Sequence, residues 1–331
     1  MSKSHALSMA AMAAASLVLP VHAQSNVTIY GIIDAAAAYS RNGDGQSVKS
    51  LVSGQGSTSR LGFRGTEDLG GGLRALFNIE AAINVDTGTG SAAGGGLAWQ
   101  RQSWVGLAGS FGQITLGRQF RPEARAVFGM DPFDAGSVAS PPNTYSNTVF
   151  RADNAVIYET PRLGGFVARV MAAPGEGVAG RDLGASLQYY NGPLYLAYGY
   201  DTRKNSADTD SRVWNSFGGS YDLNVVKLYG ALRTRKEAVA GLDERSYWVG
   251  IDAPIGLFKL QAIVARVDDR LATNRDASGF GLGAEYLLSK RTDMYARYGN
   301  VKNENGATFG LDNGVNGSHP SSLAVGIRHR F

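Results

Sequence analysis

The residue types that most often carry out enzymatic chemistry are scarce in this chain. It has no cysteine and only four histidines, His5, His22, His319 and His329. A serine nucleophile generally needs a base beside it, and the sequence has neither a Gly-x-Ser-x-Gly elbow nor a histidine pair at metal-binding spacing. The first two histidines fall in an N-terminal segment that we expect to be removed, and the last lies on the apolar side of a strand-like pattern. The sequence therefore predicts that the chain is not an enzyme and has no cofactor and no metal site.

Charged residues are more informative around one unusual stretch, residues 120–150. It holds four of the ten prolines and breaks the alternation of apolar and polar residues found on either side. Because proline removes a donor from a strand ladder, the stretch is predicted to be a loop, and its apolar side chains argue against a purely solvated one. Its acids are Glu123, Asp131 and Asp134, and the arginines at its two ends are Arg118, Arg121 and Arg151.

Carboxylates and guanidinium groups that face each other across a water-filled passage set an electric field and weight ions by charge. We therefore interpret residues 120–150 as a loop that folds into a hollow barrel and narrows its pore. Turn chemistry around Pro132 is an equally good explanation for Asp131 and Asp134.

The N-terminus has the pattern of a secretory signal. Lys3 supplies a positive start, residues 6–19 form an apolar run, and Val21 and Ala23 frame a small-x-small cleavage site. We expect residues 1–23 to be a signal peptide and residues 24–331 to form the mature protein. A retained anchor is the alternative, but the run is short for a bilayer span. Charges of both signs are scattered without a basic stripe, so nucleic acid is not an expected partner.

The composition is that of an exported β-protein. The chain has 44 glycines, 10% of its residues are aromatic, and no later apolar run approaches the ~20 residues of a membrane helix. Short segments alternate in polarity, as at the end of the chain, where Leu323, Val325 and Ile327 share one face and Arg328 and Arg330 the other. An outer-membrane barrel and a soluble sandwich both bury one face of each strand, so alternation alone does not separate them.

The connections between these segments favour the barrel. Very short links alternate along the chain with longer polar or glycine-rich ones, the first of which spans residues 41–55. This alternation is typical of an up-and-down meander with tight turns at one rim and loops at the other. Greek-key sandwiches lack this strict alternation. The predicted fold class is all-β, a 16-stranded antiparallel up-and-down transmembrane barrel forming one domain. The strands are predicted to start near residues 27, 59, 73, 101, 113, 151, 165, 183, 194, 212, 225, 247, 258, 279, 292 and 323.

Five runs of residues extend this prediction to a family. They are VTIYGIID at residues 27–34, SRLGFRGTEDLG at 59–70, WVGL at 104–107, LGRQ at 116–119 and VGIRHRF at 325–331. In this order and at these intervals they resemble the general porins of Gram-negative outer membranes, in their beta-proteobacterial form. The resemblance implies a homotrimer in the cell outer membrane, in contact with lipid and lipopolysaccharide. It also implies that the third long loop, here residues 120–150, folds inward as the pore constriction.

The resemblance further implies a ladder of basic residues on the barrel wall that faces this loop. By motif, Arg60 matches the first position, Arg101 the second and Arg151 the third. Arg64 lies four residues after Arg60, so it faces the same side of its strand. The alternative is that these arginines are solvated at a rim. The opposing acids are placed by position only, and they are Glu123, Asp131 and Asp134.

The expected function is passive diffusion of small hydrophilic solutes and inorganic ions through a water-filled pore. Basic residues outnumber acidic ones on the faces assigned to the lumen, which predicts anion selectivity. Two alternatives stay open. One is a substrate-specific outer-membrane channel, for a sugar or an organic anion, and the other is a purely structural barrel.

Overall fold

A computed structural model describes residues 26–43, 45–140, 149–176, 180–311 and 317–331. The expected signal peptide and residues 141–148 of the predicted loop lie outside the described residues. Within the described ranges, no helix is both long enough and apolar enough to cross a membrane. Most of the described chain is β-strand, as the two-residue polarity period predicts, because successive side chains of a strand point to opposite faces.

The strands are β1 (Asn26–Arg41), β2 (Ser47–Ser53), β3 (Arg60–Gly70), β4 (Leu73–Asn84), β5 (Thr89–Gly90), β6 (Gln102–Gly109), β7 (Gly112–Phe120), β8 (Arg151–Glu159), β9 (Phe166–Ala173), β10 (Asp182–Asn191), β11 (Leu194–Lys204), β12 (Ser211–Asp222), β13 (Lys227–Glu237), β14 (Leu242–Ile255), β15 (Phe258–Asp269), β16 (Ala277–Leu287), β17 (Thr292–Asn303) and β18 (Ser321–Arg330). A 3-10 turn (Ala93–Gly95) precedes β6. A short helix, α1 (Pro122–Phe128), follows β7 and starts with proline at a position where its missing N–H costs nothing.

The strands form one closed antiparallel sheet. Successive barrel strands pair side by side, and β18 returns to pair with β1, with Ala36 opposite Gly326 and Arg41 opposite Ser321. The segments β2 and β3 pair along the same edge of β1 and act as one barrel strand, while the two-residue β5 pairs with β4 inside a loop. The described residues therefore form the 16-stranded barrel that the sequence predicts. Closure leaves no sheet edge unpaired.

The two faces of the sheet differ in chemistry as the alternation predicts. On β18, Leu323, Val325 and Ile327 are 44–48% exposed on the outside, whereas Ala324 and Arg328 point inward and are buried. The same division holds around the barrel, with large aliphatic and aromatic side chains exposed outside and many serines, glutamines, aspartates and arginines buried inside. A soluble sandwich has the reverse arrangement, so the apolar outer face identifies a barrel that sits in lipid.

The first long connection differs from the prediction. We expected a loop over residues 41–55, but β1 and β2 form a hairpin around residues 42–46, and the chain bends inward only at residues 54–59. The Asp34 carboxylate on β1 holds this bend by accepting hydrogen bonds from the N–H groups of Gly56 (3.0 Å) and Ser57 (2.7 Å). Polarity alternation carries no sign of a buried carboxylate that binds the backbone of the connection between β2 and β3, so the prediction placed the loop too early.

Closure of the barrel after β18 depends on a glycine in β1. Gly31 and Phe331 exchange two backbone hydrogen bonds of 3.1 Å, and the Phe331 ring covers Gly31. A Cβ at Gly31 would lie 2.3 Å from the ring and 2.6 Å from the carbonyl oxygen of Arg60.

We expect Gly31→Ala to displace Phe331 and to lower, by several degrees, the temperature at which the folded barrel unfolds on detergent gels. The matched control is Gly230→Ala on β13, where an added Cβ would meet no atom closer than 3.9 Å. Equal unfolding temperatures for the two variants would contradict this account of closure.

Candidate functional site

The loop predicted at residues 120–150 begins with buried ion pairs to the barrel wall. Glu123, in the first turn of α1, is 1% exposed, and its Oε1 accepts a hydrogen bond of 2.9 Å from Nε of Arg233 on β13. Ser216 on β12 donates to the same oxygen. Arg121, immediately before the helix, pairs with Asp182 on β10. These contacts fix the start of the loop against inward-facing side chains of three strands.

The middle of the loop is held mainly through its backbone. Trp248 on β14 donates from Nε1 to the carbonyl oxygen of Met130 (2.8 Å), and the Tyr195 hydroxyl on β11 donates to the carbonyl oxygen of Ala126 (2.7 Å). Gln261 on β15 donates to the carbonyl oxygen of Pro132. Apolar side chains of loop and wall pack around these bonds, namely Ala126, Val127, Met130, Phe133, Ala139, Tyr195, Ala197, Trp248 and Ile263. Residues 121–140 therefore lie inside the barrel against its wall.

Asp131 organises the tip of the loop. Its side chain is 1% exposed, and its two carboxylate oxygens accept hydrogen bonds from the N–H groups of Phe133 and Ala135, both 2.9 Å, and from the hydroxyl of Ser140. Burial raises the pKa of the Asp131 carboxyl from its ordinary 3.8 to about 6, although all three hydrogen bonds favour the ionised form. The residue is therefore an internal brace of the loop.

Between the loop and the wall lies a cavity of about 620 Å³. Arg60 at the start of β3, Arg101 just before β6 and Arg151 at the start of β8 line one part of it. Asp134 comes from the loop, and burial raises the pKa of its carboxyl. The remaining charged lining residues are Lys259, Glu285, Arg297, Arg328 and Arg330. Guanidinium groups from well-separated strands thus meet the loop at one place.

The part lined by the three predicted arginines has an excess of positive charge. Nε of Arg101 lies 2.6 Å from the Glu80 carboxylate, and Arg60 lies 4.0 Å from the same group. The guanidinium carbon of Arg151 lies 4.3 Å from the centre of the Phe120 ring, and no acidic side chain among the described residues pairs with it. One carboxylate therefore pairs with two of the three guanidinium groups, and the third is unpaired within the described ranges.

The other part of the cavity is a network of paired charges. Two buried acids, Glu285 on β16 and Asp293 on β17, are shared among four cationic neighbours. The nitrogen–oxygen distances are 2.8 Å from Lys259 to Glu285, 3.1 Å from Arg328 to Glu285, 3.0 Å from Arg328 to Asp293 and 2.7 Å from Arg330 to Asp293, and Arg297 also pairs with Glu285. In the described part of the chain, no group of three or more His, Cys, Asp or Glu side chains is placed to hold a metal ion.

Some predicted site residues lie away from the cavity. The three ladder arginines and Asp134 line it. Arg64 is exposed and does not line the cavity. Its guanidinium carbon lies 5.2 Å from the centre of the Tyr30 ring. Glu123 and Asp131 are buried in the contacts that anchor and brace the loop. The even spacing that placed Arg64 on the same face as the ladder says nothing about depth along the barrel.

Several residues that line the cavity or pair with its arginines were not identified from the sequence. Glu80, which pairs with two ladder arginines, stands alone in the apolar strand LRALFNIEAAIN, and an isolated acid in such a run is a signal of a buried ion pair. Phe120, Phe128 and Phe150 line the cavity together. Phe120 ends β7 and Phe150 precedes β8, so their positions at the two ends of the irregular stretch indicate that they meet.

Comparison with known proteins agrees with this geometry. Residues 6–306 match the Gram-negative porin family. The chain is 35% identical to outer membrane porin protein 32 of Delftia acidovorans, over 93% of this chain and 95% of that protein. The chain belongs to the Gram-negative porin family. This porin is also 32% identical to an outer membrane porin protein of Bordetella pertussis, over 93% of this chain and 95% of that one.

A solved structure shows the same barrel. The anion-selective porin from Comamonas acidovorans superposes on this porin with a TM-score of 0.84, at 34% identity, over 93% of this chain and 100% of that chain. Family and fold together make the protein an outer-membrane porin that crosses the membrane many times, as predicted. The family and the fold are those of a channel rather than of an enzyme.

The pKa of Asp131 predicts a pH-dependent loop. Below its ordinary pKa of 3.8 the carboxyl is protonated in both the folded and the opened loop. As pH rises towards about 6 only the folded loop keeps the proton, so the free energy of opening falls through this window. We expect opening of the loop, measured by hydrogen exchange of its amides after correction for intrinsic rates, to become about tenfold easier between about pH 5 and pH 7.

The same measurement on Asp131→Asn should depend much less on pH, because Asp134, whose pKa burial also raises, is then the titrating group left at the loop tip. Asp222→Asn, at an exposed turn, serves as the control and should behave like the wild type. A pH profile unchanged by Asp131→Asn would exclude Asp131 as the source of the effect.

Proposed function

We propose that this porin is a passive, anion-preferring diffusion channel whose constriction is the cavity between residues 121–140 and the ladder arginines. The observation that carries the proposal is the shortage of negative charge beside the ladder. Arg60 and Arg101 share the Glu80 carboxylate, and no acidic side chain among the described residues pairs with Arg151. Solutes and ions pass without a covalent step or an energy source. The name of the Comamonas structure, an anion-selective porin, supports the same direction of selectivity.

Distance decides which charges matter. Two unit charges ~4 Å apart interact by about 1 kcal/mol in bulk water and about 4 kcal/mol at an effective dielectric constant near 20. Screening acts over ~8 Å at physiological salt, so charges at the rims contribute little at the constriction. The second group of cations adds less than its number suggests, because each of its members pairs with Glu285 or Asp293. Asp134 on the loop gives the field its direction across the passage.

Neutralising the ladder tests this proposal. We expect the wild-type channel, in a planar bilayer with a roughly tenfold gradient of potassium chloride, to give a zero-current potential that favours chloride. The variant Arg60→Gln/Arg101→Gln/Arg151→Gln should shift this potential strongly towards potassium, because it leaves Glu80 without its two ion-pair partners and removes the unpaired charge of Arg151.

The matched control removes the same number of charges elsewhere. Arg245, Arg270 and Arg275 are exposed and lie outside the described cavity lining. Replacing all three by glutamine should leave the zero-current potential close to the wild-type value at physiological salt. A wild-type preference for potassium, or an equal shift in the two triple variants, would refute a field localised at the ladder.

We propose further that three copies assemble through the outer face of β1, with membrane lipid and lipopolysaccharide covering the rest. A shallow apolar groove runs over this face, and small residues of β1 let another barrel approach closely. Its lining residues are Ala37, Ala38, Tyr39, Lys49, Ser50, Leu51, Leu323 and Val325. One solved structure of similar fold, OmpT of Vibrio cholerae, is described as a trimer form.

We expect the protein in mild detergent to have the mass of a trimer by light scattering. Ala37→Phe fills the groove and should shift the mass towards a monomer. Ala185→Phe makes the same change on the outer face of β10, which lies well away from β1 in the sheet, and should leave the trimer intact. A wild-type monomer, or a trimer that survives Ala37→Phe, would count against this interface.

A further inference from the structure

Three phenylalanine rings form a cluster on the cavity surface beside the ladder arginines. The ring centre of Phe128, at the end of α1, lies 5.2 Å from that of Phe120 and 5.7 Å from that of Phe150. All three rings line the cavity and none is fully buried. Neither the anion field nor the anchoring of the loop uses them. Because exposed apolar surface in a water-filled passage is costly, the cluster indicates a solute with an apolar part of its own.

Arg151 places a positive charge at the edge of this cluster. It stacks over the Phe120 ring, and its Nε is buried without a hydrogen-bond partner among the described residues. Arg60 and Arg101 instead share the Glu80 carboxylate. A guanidinium that stacks by its face keeps its in-plane N–H groups for a planar bidentate partner. Arg151 is therefore the ladder arginine best placed to take a carboxylate from a solute.

We propose that Phe128, Phe150 and Arg151 form a transit site for small aromatic monocarboxylates of the benzoate type. The carboxylate of the solute binds the Arg151 guanidinium, and the ring of the solute packs against the two phenylalanines. Aromatic contact there adds to the free energy gained by burying apolar area. A cavity of about 620 Å³ is within the usual range of small-ligand sites.

Other small solutes fit this surface less well. An aliphatic carboxylate has no aromatic ring to pack on the phenylalanines. A sugar has no carboxylate to pair with Arg151. The site deepens the proposed function and rests on it, because its ligand must reach the cavity through the pore.

The test compares how organic anions block the chloride current of single channels in planar bilayers. Benzoate is the probe, acetate lacks its ring, and benzyl alcohol lacks its charge. We expect benzoate to reach half-block at a concentration about tenfold lower than acetate, and benzyl alcohol to block only weakly. The ratio of the acetate to the benzoate half-block concentration is the readout, because a general change in pore width acts on both.

Three single variants of site residues and one control locate the site. Phe128→Leu keeps apolar volume but removes the ring, and should bring the acetate-to-benzoate ratio close to one. Phe150→Leu should do the same and takes its place if Phe128→Leu does not assemble. The matched control, Phe217→Leu, changes a ring that is 58% exposed on the outer face and should keep the wild-type ratio. Arg151→Gln should weaken the block by both anions.

The outcomes separate this site from the general channel. A wild-type ratio near one, block by benzyl alcohol as strong as by benzoate, or a ratio that survives Phe128→Leu and Phe150→Leu would overturn the aromatic site. An equal loss in Phe217→Leu would also overturn it. None of these results touches chloride selectivity, which is read independently from the zero-current potential. A channel without chloride preference that still shows the benzoate ratio would reject the proposed selectivity and keep the site.

Discussion

A strand that crosses hydrocarbon has no water to satisfy its N–H and C=O groups, so every one of them must pair with another strand. This protein meets the requirement by pairing β18 with β1 along ten residues and closing the sheet. Closure turns alternate side chains of every strand towards a common interior, and a barrel of this size is too wide for those side chains to fill. The polar inner face, the inward loop and the remaining passage all follow from that geometry.

A polar interior creates a second requirement, because buried charges are stable only when they are paired and hydrogen-bonded. The wall meets it unevenly. Around Glu285 and Asp293, acids and bases form a shared network, and Glu123 joins the loop to Arg233 in the same way. Around Arg151 the network stops, and an aromatic ring takes the place of a carboxylate. The cations around Glu285 and Asp293 are therefore paired, whereas Arg151 keeps an unpaired charge on the other side of the cavity.

The sequence predicted the barrel well because the strands can be recognised from the two-residue alternation of polarity within short segments. Five of the predicted starts, 73, 151, 194, 258 and 292, coincide with those of the strands. The site was harder, because its partners are remote; Glu123 and Arg233 are 110 residues apart. Asp131 and Asp134 looked alike in sequence. The Asp131 carboxylate nevertheless binds backbone N–H groups further along the loop, while Asp134 has a φ of 54° and lines the cavity. Short loops decide such orientations by contacts that no pattern encodes.

The clamp on the loop has a consequence for how such channels diversify. Trp248, Tyr195 and Gln261 hold carbonyl groups of the loop, which every residue type supplies, rather than its side chains. The position of the loop and the chemistry of its side chains can therefore change independently. Substitutions among the cavity-facing loop residues change which solutes the channel prefers, while the wall keeps the loop in place. One scaffold can in this way acquire a new selectivity through single substitutions, without first losing its fold.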